Sequence, residues 1–225
     1  AGARLQDAGK FDASSWRVLM TIDETIQNMF PTLAMPREGG LPPASKSGTR
    51  YIVARDGLWR EVSLPWVTVV HKISNSDFSL PYGAIEESIS IKCGAIPAHI
   101  RSKFVQDAKA AMPNEMAAAV IWNSKDQSWR YELRENTSAT VAHVDYREVQ
   151  LRDDEFLVLD LHSHGTFEAF FSNEDDRDDA GSMKFSGVIG NLDTREITSV
   201  LRLNMLGKTW DADLASQGQL EVLCK

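Results

Sequence analysis

The sequence predicts an α/β (α+β) fold, with short strands and helices interleaved along the chain. Three observations carry this. Residues 116–122 and 156–164 are apolar runs of strand length and read as buried strands. Residues 97–112 place Ile100, Phe104, Val105 and Ala108 along one helical face. Residues 50–62 hold two β-rich runs separated by Asp56-Gly57, a hairpin signal.

In chain order, residues 14–30 read as a helix. Ser14 or Ser15 can cap it, and Val18, Ile22, Ile26 and Met29 recur at helical spacing. Residues 31–48 are dense in Pro, Gly and Ser and read as a loop. Strands follow at 50–55, 58–62 and 66–73, and Pro81-Tyr-Gly marks a break. This gives an N-terminal extension over residues 1–85 and a second domain over 86–225. The second domain opens with a short strand at 88–93. The helix at 97–112 follows, with Pro97 near its first turn. Residues 116–122 form a central strand, 123–127 a polar turn, and 128–134 and 140–146 further strands. Strands at 156–164 and 184–189 come next. Asn191-Leu-Asp-Thr then turns the chain into a strand at 197–205.

Composition narrows the function. Hydrophobic residues make up 43% of the 225, enough for a packed core. The formal charge of −8 argues against a nonspecific hold on nucleic-acid phosphates, and most of it reads as solvated surface. Cys93 and Cys224 are far apart and form no CxxC pair, which excludes a disulfide scaffold or a cysteine zinc site. A reducing cytoplasm is the expected location. No apolar run reaches the roughly 20 residues needed to span a membrane, and no signal peptide is evident.

The chemistry sits in Asp160-Leu-His162-Ser-His164-Gly, followed by Ser172-Asn-Glu-Asp175. Strand side chains alternate, so His162 and His164 point to the same face. Gly165 ends the strand, and Ser172 opens an acidic segment read as helical, with Asp175 in its first turn. Two imidazoles and one carboxylate are the three protein ligands of a catalytic zinc that keeps its fourth position open. Each piece has an ordinary reading as well. A lone His-x-His usually binds nothing, and Ser-x-x-Asp is also the spacing of a helix capping box. Together, at this separation, they favour a metal. Asp176, Asp178 and Asp179 read as a solvated helix start. His71, His99 and His143 read as surface or packed histidines, Cys93 as a buried small residue and Cys224 as a terminal thiol. Trp16, Trp59 and Trp66 read as core or docking aromatics.

The pattern His-x-His-x(7)-Ser-x(2)-Asp resembles the JAMM signature of JAB/MPN metallopeptidases, over roughly residues 88–205. The resemblance implies a curved mixed β-sheet flanked by helices behind the N-terminal extension. It also implies Zn²⁺ on His162, His164 and Asp175. The family supplies a glutamate at the opening of the first core strand as general base. Glu115, just before the run 116–122, occupies that position, although alanines stand where many relatives have glycine and leucine. Glu86, Glu87 and Glu132 are weaker alternatives. Ser172 would stabilise the oxyanion of the tetrahedral intermediate. Leu80-Pro-Tyr-Gly, the His-x-His segment, Phe170-Phe-Ser, Asp175-Asp and Gly187-Val-Ile-Gly-Asn-Leu-Asp are similar to the bacterial PRTRC system protein A family. Its cassettes resemble stripped-down ubiquitin-like systems. The resemblance implies hydrolysis of an amide or isopeptide bond at the tail of a ubiquitin-like protein, with other proteins of the cassette as partners. Three other readings stay open: a non-catalytic MPN scaffold, a hydrolase of small-molecule or carrier-protein sulfur substrates, and a metal site of unrelated purpose.

Overall fold

The computed structural model describes residues 22–134, 136–140, 143–146 and 149–223. The expected roles of Ser14, Ser15, Trp16, Val18 and Cys224 concern residues outside them, as do those of the side chains between 135 and 148, His143 included. The chain divides into two compact units. One lies within Ala1–Leu64 and Val69–Ser88, the other within Pro65–Thr68 and Ile89–Lys225. The architecture is α+β, with two mixed sheets and three helices among the described residues.

In the first unit residues 22–29 form helix α1. Its apolar residues Ile22, Ile26 and Met29 are exposed. The predicted loop at 31–48 contains a strand, β1 (Thr32–Ala34), paired in parallel with β2 (Gly48–Ala54). Three residues are too few to show a period, so composition alone read this stretch as loop. β3 (Gly57–Ser63) pairs antiparallel with β2, and β4 (Val67–Asn75) and β5 (Ser88–Ile91) complete a five-stranded sheet in the order β1-β2-β3-β4-β5. The hairpin turn sits one residue earlier than Asp56-Gly57 suggests: Ala54 pairs with Gly57, leaving Arg55-Asp56 as the loop. Gly57 has φ 141°, and a Cβ there would lie 2.0 Å from the Ser74 carbonyl oxygen. Its glycine is needed for close approach rather than for the turn centre. Ile52, Ala54, Trp59 and Val70 form this unit's core.

The second unit is built on a seven-stranded sheet of order β14-β13-β12-β11-β10-β6-β7. Helix α2 (Ala98–Ala111) leads into β6 (Ala117–Asn123) and β7 (Trp129–Leu133). The predicted single strand at 140–146 is a hairpin instead, β8 (Asn136–Thr140) with β9 (His143–Tyr146), because Thr140 pairs with His143. β10 (Glu155–Ser163), α3 (Asn173–Asp179) and β11 (Met183–Gly190) form a crossover, and β10 and β11 are parallel. The remaining neighbours are antiparallel, including β12 (Thr198–Met205). β13 (Lys208–Leu214) and β14 (Leu220–Val222) extend the sheet beyond the sequence reading. The turn into β13 is Leu206-Gly207, both at positive φ, followed by an alternating Trp-Asp-Ala-Asp-Leu run. Positive φ at both turn residues is what a two-residue hairpin requires.

Apolar periodicity explains how α2 docks. Ile100, Phe104 and Ala108 are buried, and Phe104 and Ala108 pack with Met116, Ala118, Ile189 and Leu192. Burying a phenylalanine contributes about 1.5–3 kcal/mol. The alanines Ala117, Ala118 and Ala119 of β6 are fully or nearly fully buried, and their small side chains let neighbouring elements approach closely. Among the described residues no helix is long and apolar enough to cross a membrane.

Candidate metal centre

The end of β10 carries the two histidines. His162 pairs across the sheet with Ala117 of β6 and Val188 of β11, which fixes its register from both sides. His164 lies one residue past the strand, and its backbone stays on the sheet through a 2.9 Å bond from its N–H to the Ile189 carbonyl. The loop after it is tied down in turn: Phe167 N–H donates to His164 O, Asn191 N–H to Phe167 O, and Leu192 N–H to Gly165 O. Gly165 supplies the positive φ, 57°, that this turn requires. Gly190 has no room for a side chain, since a Cβ would lie 2.1 Å from the Phe167 carbonyl oxygen.

Both imidazoles aim their Nε2 atoms at one point. The two atoms are 3.2 Å apart. His164 Nδ1 lies 3.2 Å from the Glu168 carbonyl oxygen. A proton on Nδ1 satisfies that contact and leaves the Nε2 lone pair free to ligate. Asp175 Oδ1 approaches His162 Nε2 at 3.5 Å. All three donor atoms lie within 4.8 Å of one another. Bonds of about 2.0–2.1 Å in a tetrahedral shell separate neighbouring ligand atoms by about 3.3 Å. The residues therefore fit zinc by donor type, number and spacing. Burial outweighs the attraction of Asp175 and lowers the pKa of His162, which favours the neutral, ligating imidazole.

The two readings of Ser-x-x-Asp turn out to be one object. Ser172 caps α3. Its Oγ accepts from Asp175 N–H at 3.2 Å and donates to Asp175 Oδ2 at 2.7 Å, and Ser172 N–H donates to the same Oδ2 at 2.6 Å. The capping box thus holds Oδ2 and leaves Oδ1 turned toward His162. Phe170 packs edge-on against the His164 ring, with centroids 4.6 Å apart.

Glu115 precedes β6 at the end that meets the histidines. Met116 N–H donates to the buried Ser163 Oγ at 3.2 Å, and Ser163 N–H donates to Met116 O at 3.0 Å. Ser163, between the two histidines, therefore locks the segment carrying Glu115 to the segment carrying the histidines. The half-buried Glu115 carboxyl has a raised pKa. Burial is the main cause; His164 opposes it and Asp175 adds to it. Of the alternatives, Glu132 is paired with Arg130 on β7, and Glu86 and Glu87 are exposed residues of the other unit. His71 is buried and accepts from Arg60 Nε, and His99 is exposed, as expected of histidines outside the site. Cys93 is a buried thiol whose pKa burial pushes up to about 12, so it is inert at neutral pH.

Asp176 is exposed, as a solvated helix start implies, but Asp179 is buried and clamped. Asp179 is 7% exposed and accepts from Ser186, Arg202 and Asn204, and Asp176 pairs with Arg202. Burial raises the Asp179 pKa, but Lys184, Arg202 and Ser186 together hold it below the ordinary value. Its partners stand on β11 and β12, so no local signal around Asp179 announces them. Asp178 is exposed.

Residues 97–203 match the family model described as prokaryotic homologs of the JAB domain. The match supports a JAB-type domain. It covers β6, β10 and α3, which supply Glu115, His162, His164, Ser172 and Asp175 in or beside them. Residues 20–92 match a second model, a domain of unknown function, DUF2016. No curated protein matches the chain. A JAB-type domain implies a hydrolase or a related scaffold.

Proposed function

We propose that the JAB-type domain is a zinc-dependent hydrolase of amide or isopeptide bonds. The observation that carries this is the convergence of one donor atom each from His162, His164 and Asp175, within 4.8 Å of one another, with the half-buried Glu115 carboxyl close enough to feel the charges of His164 and Asp175. His162, His164 and Asp175 would hold the ion. Zinc in that place supplies Lewis acidity, which makes water a nucleophile near neutral pH and polarises a carbonyl.

The protein's own groups do the rest. Glu115 takes the proton that water releases on attack and returns it to the leaving amine, so one carboxylate serves first as base and then as acid. Ser172 first orients Asp175. By turning its hydroxyl proton away from Oδ2 it can donate to the oxyanion that develops on the attacked carbonyl. Water and the amide are consumed, and a carboxylate and an amine result.

The substrate we propose is the C-terminal tail of a ubiquitin-like protein, as a precursor or joined to a lysine, within a PRTRC-type cassette. Support comes from the resemblance of the motifs around Leu80, Asp160 and Gly187 to that family. The test is release of an amine-linked fluorophore from the C-terminus of a ubiquitin-like protein by the zinc-loaded chain. Release that disappears in Glu115→Gln while zinc stays bound is the expected result. Equal release by that variant removes Glu115 from the mechanism. A zinc-loaded chain that cleaves nothing favours the scaffold alternative.

A further inference from the structure

Helix α3 has the sequence Asn-Glu-Asp-Asp-Arg-Asp-Asp and carries no apolar side chain. Seven residues are too short for a self-supporting helix, and there is nothing on this one for the hydrophobic effect to hold. Yet it must keep Asp175 Oδ1 within a few tenths of an ångström of its place beside His162. The capping box fixes Asp175 within the helix but does not fix the helix on the sheet.

Polar side chains of β12 and β11 do, Arg202 foremost. Arg202 of β12 donates to Asp179 Oδ2 through Nε at 3.1 Å and Nη2 at 2.7 Å, and its Nη1 meets Asp176 Oδ1 at 2.5 Å. Its plane lies over the Phe171 ring, 3.8 Å from the centroid. Phe171 immediately precedes the capping Ser172, and Asp176 immediately follows Asp175. One side chain therefore touches the chain on both sides of the ligand and again at the last residue of the helix. Asn204 Nδ2 donates to the same Asp179 Oδ2 at 3.0 Å, Ser186 Oγ donates to Oδ1 at 2.9 Å, and Lys184 Nζ lies 3.2 Å from Oδ1. Lys184 also reaches Asp160 Oδ2 at 2.6 Å, two residues before His162 on β10. The same charged layer thus runs from the strand of the histidines to the helix of the aspartate.

We propose that Asp179 and Arg202 are positioning residues for the metal: their pairing sets the position of Asp175, so that the third ligand is placed from β12. This rests on reading His162, His164 and Asp175 as a metal centre. A guanidinium suits the task, because its donors stand in one fixed plane: two of its nitrogens reach Asp179 Oδ2 and the third reaches Asp176 Oδ1.

Cobalt(II) and zinc binding to the full chain test it. The wild type is expected to give the visible absorption of a low-symmetry cobalt site. Asp179→Asn is expected to bind either metal about 10–100-fold more weakly, as changes to groups that orient ligands do. Its cobalt spectrum is expected to move toward that of Asp175→Ala. Should Asp179→Asn fail to fold, Asp179→Leu/Arg202→Met replaces the pair by apolar side chains, a change that buried ion pairs often tolerate. The same loss and the same spectral shift are expected there. A folded variant with wild-type affinity and spectrum overturns the proposal, even if its metal-free form melts at a lower temperature, since that is the mark of a purely structural pair. A wild type that takes up neither metal overturns the metal reading and this inference with it. A wild type that binds beside unchanged variants overturns the inference alone.

Discussion

Helices α2 and α3 lie against opposite faces of the same sheet, and they are held there by opposite physics. On β10 the odd-numbered Leu161 meets the α2 cluster, whereas the even-numbered His162 faces Asp175 of α3. α2 is fourteen residues long and buries Ile100, Phe104 and Ala108. α3 is seven residues long, buries only Asp179 and is held by hydrogen bonds and ion pairs. Apolar docking is non-directional. Hydrogen-bonded docking specifies direction. The proposed metal ligand is carried by the helix whose attachment is directional, and the helix whose attachment is apolar supplies bulk stability.

Substitutions should separate these two roles. The largest expected effect belongs to the chemistry at the meeting point. Glu115→Gln should cut turnover by about 10²–10⁴-fold, the usual contribution of a general acid–base group, with zinc content unchanged. Turnover measured beside elemental zinc checks both halves, and a parallel loss of zinc would reassign Glu115 as a ligand.

Next comes the apolar side. Phe104→Ala should cost about 3–5 kcal/mol in urea unfolding, by cavity formation in the α2 cluster. The folded fraction should bind zinc with wild-type affinity. A weakened zinc site in that variant would show that α2 also positions the ligands, and the contrast between the helices would collapse.

Ser172→Ala is smaller in stability but falls on the other side. Losing a cap costs about 0.5–2 kcal/mol. Here the cap also holds Asp175 Oδ2, so zinc affinity should fall although Ser172 is not itself a ligand. Chelator competition measures this. Wild-type affinity would mean that the backbone bond from Ser172 N–H suffices.

The smallest effect concerns another directional tie, at the start of β10. Glu155 is buried, and Arg130 with the backbone N–H of Arg152 holds its carboxyl down at about 2. A depressed pKa stabilises the fold above the ordinary value of 4.5. That stability is lost as pH falls from there toward 2. The gap in urea midpoint between wild type and Arg130→Met should be widest at neutral pH and narrow below about pH 4.5. A gap independent of pH would assign the loss to packing rather than to the charge.

This division also governs what the sequence could reveal. α2 was legible because Ile100, Phe104 and Ala108 repeat at the helical period, and β6 and β10 because they are apolar runs of strand length. The histidines and Asp175 were legible because they lie close together along the chain. What Asp179 does was not, since Ser186, Arg202 and Asn204 reach it from two other strands and an acidic helix start looks the same solvated or clamped. β1 escaped for brevity. The strand predicted at 140–146 became a hairpin because a polar β-rich run shows composition but not where the chain reverses.

The central claim is that His162, His164 and Asp175 form a metal site. Elemental analysis of the purified wild type beside His164→Ala/Asp175→Ala tests it most directly. About one zinc per chain is expected in the wild type, as three protein ligands with one open position imply, and none in the variant. A wild type with no zinc after loading and removal of excess, or a variant that keeps it, would contradict the account.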